Sequence, residues 1–141
     1  MKRIARSAIV EHSAAEMYRL VEDIESYPQF LPWCVAAEVH ERSGAQTRAT
    51  LTAGLRGLRQ AFTTLNTNRP AEAIDMALVQ GPFRAFRAGW RFKALGPDAC
   101  SIEFSMDYDP GPAGRLLEPL FDHIADTMVD AFSRRAETLY R

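Results

Sequence analysis

The chain is poor in cysteine: it has two, Cys34 and Cys100, far apart and without metal-ligand spacing. A disulfide framework and a structural zinc site are thereby excluded as organising devices, and a reducing compartment is the expected setting. No long unbroken apolar run occurs, so no stretch reads as a membrane-spanning helix. A cationic, apolar leader is absent from the start, and no internal repeat or low-complexity tract interrupts the chain. No serine or cysteine sits in a nucleophile motif, and His12, His40 and His123 are far apart at positions that read as polar. Asp122, His123 and Asp126 invite a metal or acid–base reading, but both aspartates fall on the side of a predicted helix away from its apolar stripe. The expectation is a protein that is not an enzyme, with no catalytic and no metal site.

What is present is core material. Of 141 residues 47% are hydrophobic, enough to build a core in one domain spanning residues 1–141. The net charge of -1 hides an asymmetry. Between Arg42 and Lys93 lie nine basic residues and two acidic ones, so this middle carries +7 and the flanks -8. Such a distribution favours an anionic partner or a solvated sheet face, and does not choose between them.

The segment with an uninterrupted helical period runs from Arg115 to Tyr140. Leu117, Phe121, Ile124, Met128, Phe132 and Leu139 recur at three- and four-residue spacing, which puts them on one stripe. Asp122, Asp126, Asp130 and Glu137 are expected on the opposite side. The 22 residues from Pro119 to Tyr140 make a rod of roughly 33 Å, the width of a small domain. Pro119 suits the first turn of that helix, where its missing N–H costs little, so Arg115 to Glu118 reads as a separate turn.

Ahead of it, Ile4 to Val10 reads as a first strand. Ser13-Ala14-Ala15-Glu16 has the form of a capping box and starts a helix whose stripe is Met17, Leu20, Val21 and Ile24. Tyr27-Pro28 is expected to end it. Three aromatics then crowd around two prolines in Tyr27-Pro28-Gln29-Phe30-Leu31-Pro32-Trp33-Cys34, a segment that packs in a core, closes a pocket as a lid or faces a membrane. From Val35 to Tyr108 the period is two, with turns at Gly54 to Gly57, Asn68 to Pro70, Gly81-Pro82 and Gly96 to Asp98. The cleanest alternation sets Phe86, Ala88, Trp90 and Phe92 against Arg87, Gly89, Arg91 and Lys93. An antiparallel sheet with one apolar face needs a cover, and the C-terminal helix is long enough to be it.

This order of elements, with Asp23 to Cys34, Gly81-Pro82-Phe83 and Gly89-Trp90-Arg91-Phe92, resembles the ribosome association toxin RatA and coenzyme Q-binding START-domain family, within the polyketide cyclase/dehydrase superfamily. The resemblance covers essentially the whole chain. It implies an α+β helix-grip (START-like) fold. In that fold an antiparallel curved sheet of about seven strands wraps the long C-terminal helix, two short helices lie between strands one and two, and an apolar tunnel remains inside. Mitochondrial members are taken to bind ubiquinone and support respiration. A bacterial member is described as a toxin that binds the large ribosomal subunit and blocks subunit association.

The resulting expectations name residues. A ligand site for an isoprenoid quinone is expected from the lid residues Tyr27, Phe30, Leu31 and Trp33. Its wall is expected from Leu51, Phe62, Trp90, Phe92, Phe104, Phe121, Ile124 and Met128, although such side chains commonly fill each other's space. An anionic-partner face is expected at Arg48, Arg59, Arg87, Arg91 and Lys93, suited to ribosomal RNA phosphates or an anionic membrane surface. No cofactor is required; ubiquinone or another lipid is the bound molecule the resemblance implies. The leading expectation is non-enzymatic binding of a lipophilic ligand, with RatA-type binding to the large ribosomal subunit second and a polyketide cyclase-like enzyme third. DNA is not an expected partner, and the expected location is cytoplasmic or peripheral at the inner membrane.

Overall fold

The computed structural model describes residues 1–140. Seven strands, β1 (Lys2–Val10), β2 (Cys34–Ser43), β3 (Gln46–Leu55), β4 (Leu58–Arg69), β5 (Ala73–Gln80), β6 (Ala85–Gly96) and β7 (Ala99–Asp109), form one antiparallel sheet. Its order is β1-β7-β6-β5-β4-β3-β2. Strands β2 to β7 are successive hairpins, and β1 pairs with β7 from Lys2↔Tyr108 to Val10↔Cys100. At the tip between β3 and β4 the turn residues Arg56 and Gly57 have φ of 48° and 84°, the doubly positive pattern that matches strand twist in a two-residue hairpin.

Helix α1 (Ala14–Glu22) and the 3-10 helix Ile24–Gln29 separate β1 from β2. The capping box is present: the Ser13 hydroxyl accepts from the Glu16 N–H at 3.1 Å, and the Ser13 N–H donates to Glu16 Oε1 at 3.0 Å. Tyr27-Pro28 does not end this helix, contrary to expectation. The backbone leaves the helical region at Asp23, with ψ of 67°, and Tyr27 and Pro28 belong to the following 3-10 helix. After β7 come α2 (Gly111–Gly114), the 3-10 turn Arg115–Leu117 and the long α3 (Glu118–Leu139), with Pro119 in its first turn.

Helix α3 lies over the concave face of the sheet, the helix-grip arrangement, and buries Phe121, Ile124, Met128 and Phe132 against it. Phe132 sits edge-on to Trp90, Tyr27 and Phe30 at centroid distances of 5.2, 5.5 and 5.0 Å, joining helix, sheet and lid. Leu139 departs from the expected stripe and is 49% exposed, at the last residue of the helix. Asp122 and Asp126 also depart from the expected free face. They turn toward β1, where Asp122 takes Lys2 Nζ at 2.6 Å and the Tyr108 hydroxyl, and Asp126 takes Arg6. Burial first, and then this hydrogen bond to Asp122, pushes the Tyr108 phenol well above its ordinary pKa.

The period of two slips where a strand carries an extra residue. Val35 falls between Cys34↔Ala53 and Ala36↔Thr52, Val79 between the partners of Thr63 and Thr64, and Leu95 between Ala94↔Cys100 and Gly96↔Ala99. These three are among the few large apolar side chains left exposed, since a bulged residue leaves the alternation and bends the strand. Val35, the first residue of the stretch with period two, is 44% exposed. No helix among the described residues is long and apolar enough to cross a membrane.

Candidate functional site

Between α3, the 3-10 helix and the concave face lies a cavity of about 40 Å³. Of the expected wall, Leu51, Phe62, Trp90, Phe104, Phe121, Ile124 and Met128 border it, as do Tyr27 and Trp33 of the lid. Three expected residues do not. Phe92 stacks beyond Trp90 at 6.0 Å and meets Tyr18 of α1, while Phe30 packs over Phe132 under the Arg135 guanidinium, 4.9 Å from its ring centroid. Leu31 is buried in the lid's own turn, its N–H on the Tyr27 carbonyl.

Such a volume holds water-sized molecules, whereas a dry cavity of about 150 Å³ is what admits benzene. The interior is thus nearly filled. A larger guest must displace side chains, and Met76, Met106 and Met128 on the cavity wall are unbranched and adaptable.

Two polar residues on this wall were missed by sequence reasoning. Thr64 and Asn66 follow Phe62 on the same face of β4; both are buried, and the Thr64 hydroxyl donates to Asn66 Oδ1 at 2.8 Å. The signal was the alternation itself, which carries Phe62, Thr64 and Asn66 inward together, but their polarity argued for the outer face. Trp33 is 2% exposed, and its indole N–H has no hydrogen-bond partner among the described residues. The Tyr27 hydroxyl is already spent on the Val21 carbonyl, and burial raises its pKa strongly. Among the described residues no histidine, carboxylate or basic side chain borders the cavity.

The histidines lie elsewhere. His12 is buried, not polar-exposed as expected, because it packs against the Tyr140 ring and meets Glu137 Oε1 at 3.2 Å. His40 bonds the Thr50 hydroxyl on the sheet, and His123 is exposed on α3. Among the described residues no group of three or more His, Cys, Asp or Glu side chains is arranged to hold a metal.

The lid is fastened on two sides. From β2, Arg42 reaches Glu22 Oε1 at 3.0 Å and both oxygens of Glu25 at 2.7 and 2.8 Å. The Arg42 hydrogen bond holds the Glu25 carboxyl down at about 2. From α3, Arg135 donates to Gln29 Oε1 at 3.1 Å. Where the lid joins β2, burial pushes the Cys34 thiol up to about 11.

The opposite face of the sheet carries the charges. All five expected cations, Arg48, Arg59, Arg87, Arg91 and Lys93, are exposed there, but two are not free. Arg91 pairs with Asp75 at 2.8 Å, and Arg87 approaches Asp107 at 3.9 Å, a carboxylate already held by Arg3 at 2.8 and 3.0 Å. Arg48, Arg59 and Lys93 make no ion pair among the described residues.

A family model described as polyketide cyclase / dehydrase and lipid transport matches residues 10–133. The chain belongs to this family. It is 45% identical to the ribosome association toxin RatA of Pseudomonas aeruginosa over 97% of this chain and 96% of that one. It is 27% identical to the mitochondrial coenzyme Q-binding protein COQ10 homolog B of Xenopus laevis, over 99% of this chain and 60% of that one. Among solved structures, the Zhui aromatase/cyclase from a Streptomyces species superposes with a TM-score of 0.87 at 16% identity, covering 99% and 96% of the two chains. At that identity the likeness shows the fold alone. In this chain the space between sheet and helix is lined, among the described residues, by no histidine, carboxylate or basic side chain.

Proposed function

We propose that the protein is a RatA-type, non-enzymatic binding protein that associates with the large ribosomal subunit through its outer sheet face. The observation that carries this reading is the 45% identity to a ribosome association toxin along nearly the whole of both chains. Arg48, Arg59 and Lys93 support it physically: they are exposed, on one face and without an ion pair among the described residues, and so available to phosphates without first breaking such a pair. The test is co-sedimentation of purified protein with ribosomal subunits at several salt concentrations. Binding to the large subunit that weakens with salt is expected; no binding to either subunit at low salt would overturn it.

A second reading is favoured by a separate observation. The apolar cavity, with an indole N–H on its wall that has no partner among the described residues, supports binding of a lipophilic molecule, a ubiquinone-like quinone being the ligand expected from the resemblance. Ligand binding would proceed by opening of the lid and repacking of the methionines, and burial of an isoprenoid tail at roughly 25 cal/mol per Å² would supply several kcal/mol. Organic extraction of purified protein followed by mass spectrometry tests it. A stoichiometric quinone supports this reading, and protein free of any lipid after purification from quinone-rich cells counts against it.

A further inference from the structure

The cavity wall is almost entirely hydrocarbon, so each polar atom on it calls for a physical reason. Buried polar groups are normally hydrogen-bonded, because the bonds they made to water must be replaced. Tyr27 and Thr64 comply, through the Val21 carbonyl and Asn66 Oδ1. Two groups do not. The indole N–H of Trp33 is buried without a partner among the described residues, and the side-chain nitrogen of Asn66, a residue 5% exposed, makes no hydrogen bond among them. Both are donors. The Thr64 hydroxyl occupies the asparagine's oxygen, which leaves its NH₂ as the end available to a guest.

The charge of the guest follows from what is missing around these donors. No Lys, Arg or His borders the cavity, so a carboxylate or phosphate head would be buried with no counter-charge, which is far more costly than burying a neutral acceptor. A pure hydrocarbon would leave both donors unmet. We infer that Trp33 and Asn66 form a recognition site for the neutral, hydrogen-bond-accepting head of an amphiphile, a carbonyl compound such as a quinone, ketone or ester. Fatty acids and phospholipids, with charged heads, are expected to bind more weakly. The inference rests on the ligand-binding reading above and adds to it which end of the ligand is read, and by which side chains.

Equilibrium dialysis of the full chain against three probes tests this: a decyl-substituted benzoquinone, decylbenzene and decanoate. Wild type is expected to bind the quinone at least tenfold more tightly than either other probe. Asn66→Leu keeps the volume and removes the amide; Trp33→Phe keeps an aromatic ring and removes the N–H. Each should weaken quinone binding about fivefold or more and change decylbenzene binding by less than twofold. Thr64→Val, which leaves both donors in place, guards against a fold defect in Asn66→Leu; it should cost the quinone less than either donor substitution. Equal losses for quinone and decylbenzene, unchanged quinone binding in both donor variants, or decanoate binding as tightly as the quinone would overturn the inference while the ligand-binding reading stands. Failure of wild type to bind quinone and decylbenzene alike would overturn that reading and the inference with it.

Discussion

The two faces of the sheet are built from the same strands and differ by one residue step. Trp90 and Arg91 are neighbours, yet one is 1% exposed against Phe104 and Phe132 while the other meets Asp75 in solvent. Alternation sorts residue types between faces. It does not say which of the sorted groups is left with something to bind. On the inner face nearly every side chain is spent on packing, and the surplus is two hydrogen-bond donors. On the outer face Arg87 and Arg91 are engaged with acids, and the surplus is Arg48, Arg59 and Lys93. Surplus, more than composition, marks where a partner can act.

The strongest break of this contrast comes from the inner face. Trp90→Ala removes a fully buried ring with three aromatic neighbours and should cost about 3 to 5 kcal/mol, read as a lower denaturation midpoint in urea. Arg91→Ala one step along the strand removes an exposed pair and should cost under about 1 kcal/mol. Comparable losses at the two positions would mean that the faces are not energetically distinct.

The outer face can be divided in the same way. Arg48→Glu with Arg59→Glu and Lys93→Glu should weaken ribosome binding several-fold at least and flatten its salt dependence. Arg87→Glu with Arg91→Glu should do less, since those guanidinium groups already have carboxylate partners. Equal effects from the two sets, in co-sedimentation at matched salt, would show that ion pairing within the sheet does not decide which cations are available.

The lid offers a smaller effect. Arg42→Met releases Glu22 and Glu25 and should speed thiol labelling of Cys34 several-fold at pH 8, with buried Cys100 as the internal reference. Parallel acceleration at both cysteines would indicate global loosening. The smallest effect is pH-dependent. The Glu25 carboxyl is lowered from 4.5 to about 2 in the folded protein, so its contribution is present above about pH 4.5 and lost as pH falls toward 2. Both side chains are over one-third exposed, which limits the contribution to a few tenths of a kcal/mol at ordinary salt. Melting temperatures of wild type and Glu25→Gln should therefore differ above that window and converge below it.

Much of the fold could be read from residue order. The capping box at Ser13, the turn at Gly57, the period of two through β6 and β7, and the stripe Phe121, Ile124, Met128, Phe132 are local patterns whose physics needs no distant partner. Seven of the eight wall residues and two of the four lid residues named from sequence border the cavity. Phe30, Leu31 and Phe92 do not, because a pattern assigns a face and not a depth along it. Thr64 and Asn66 escaped notice because their inward position contradicts their polarity, and a buried hydrogen bond between them resolves the contradiction.

What residue order determined on its own is therefore the set of elements, the side of the sheet each side chain faces, and the need for a long helix as cover. These follow from periodicity and apolar burial, which act over a few residues. The tertiary structure decided the rest. Asp122 left the expected free face because Lys2 and Tyr108, 120 and 14 residues away, converge on it. Three apolar residues reached solvent through register shifts set between strands. That Trp33, Arg48, Arg59 and Lys93 lack partners among the described residues depends on which neighbours folding brings near or keeps away, and pairing across such distances is not written in any local pattern.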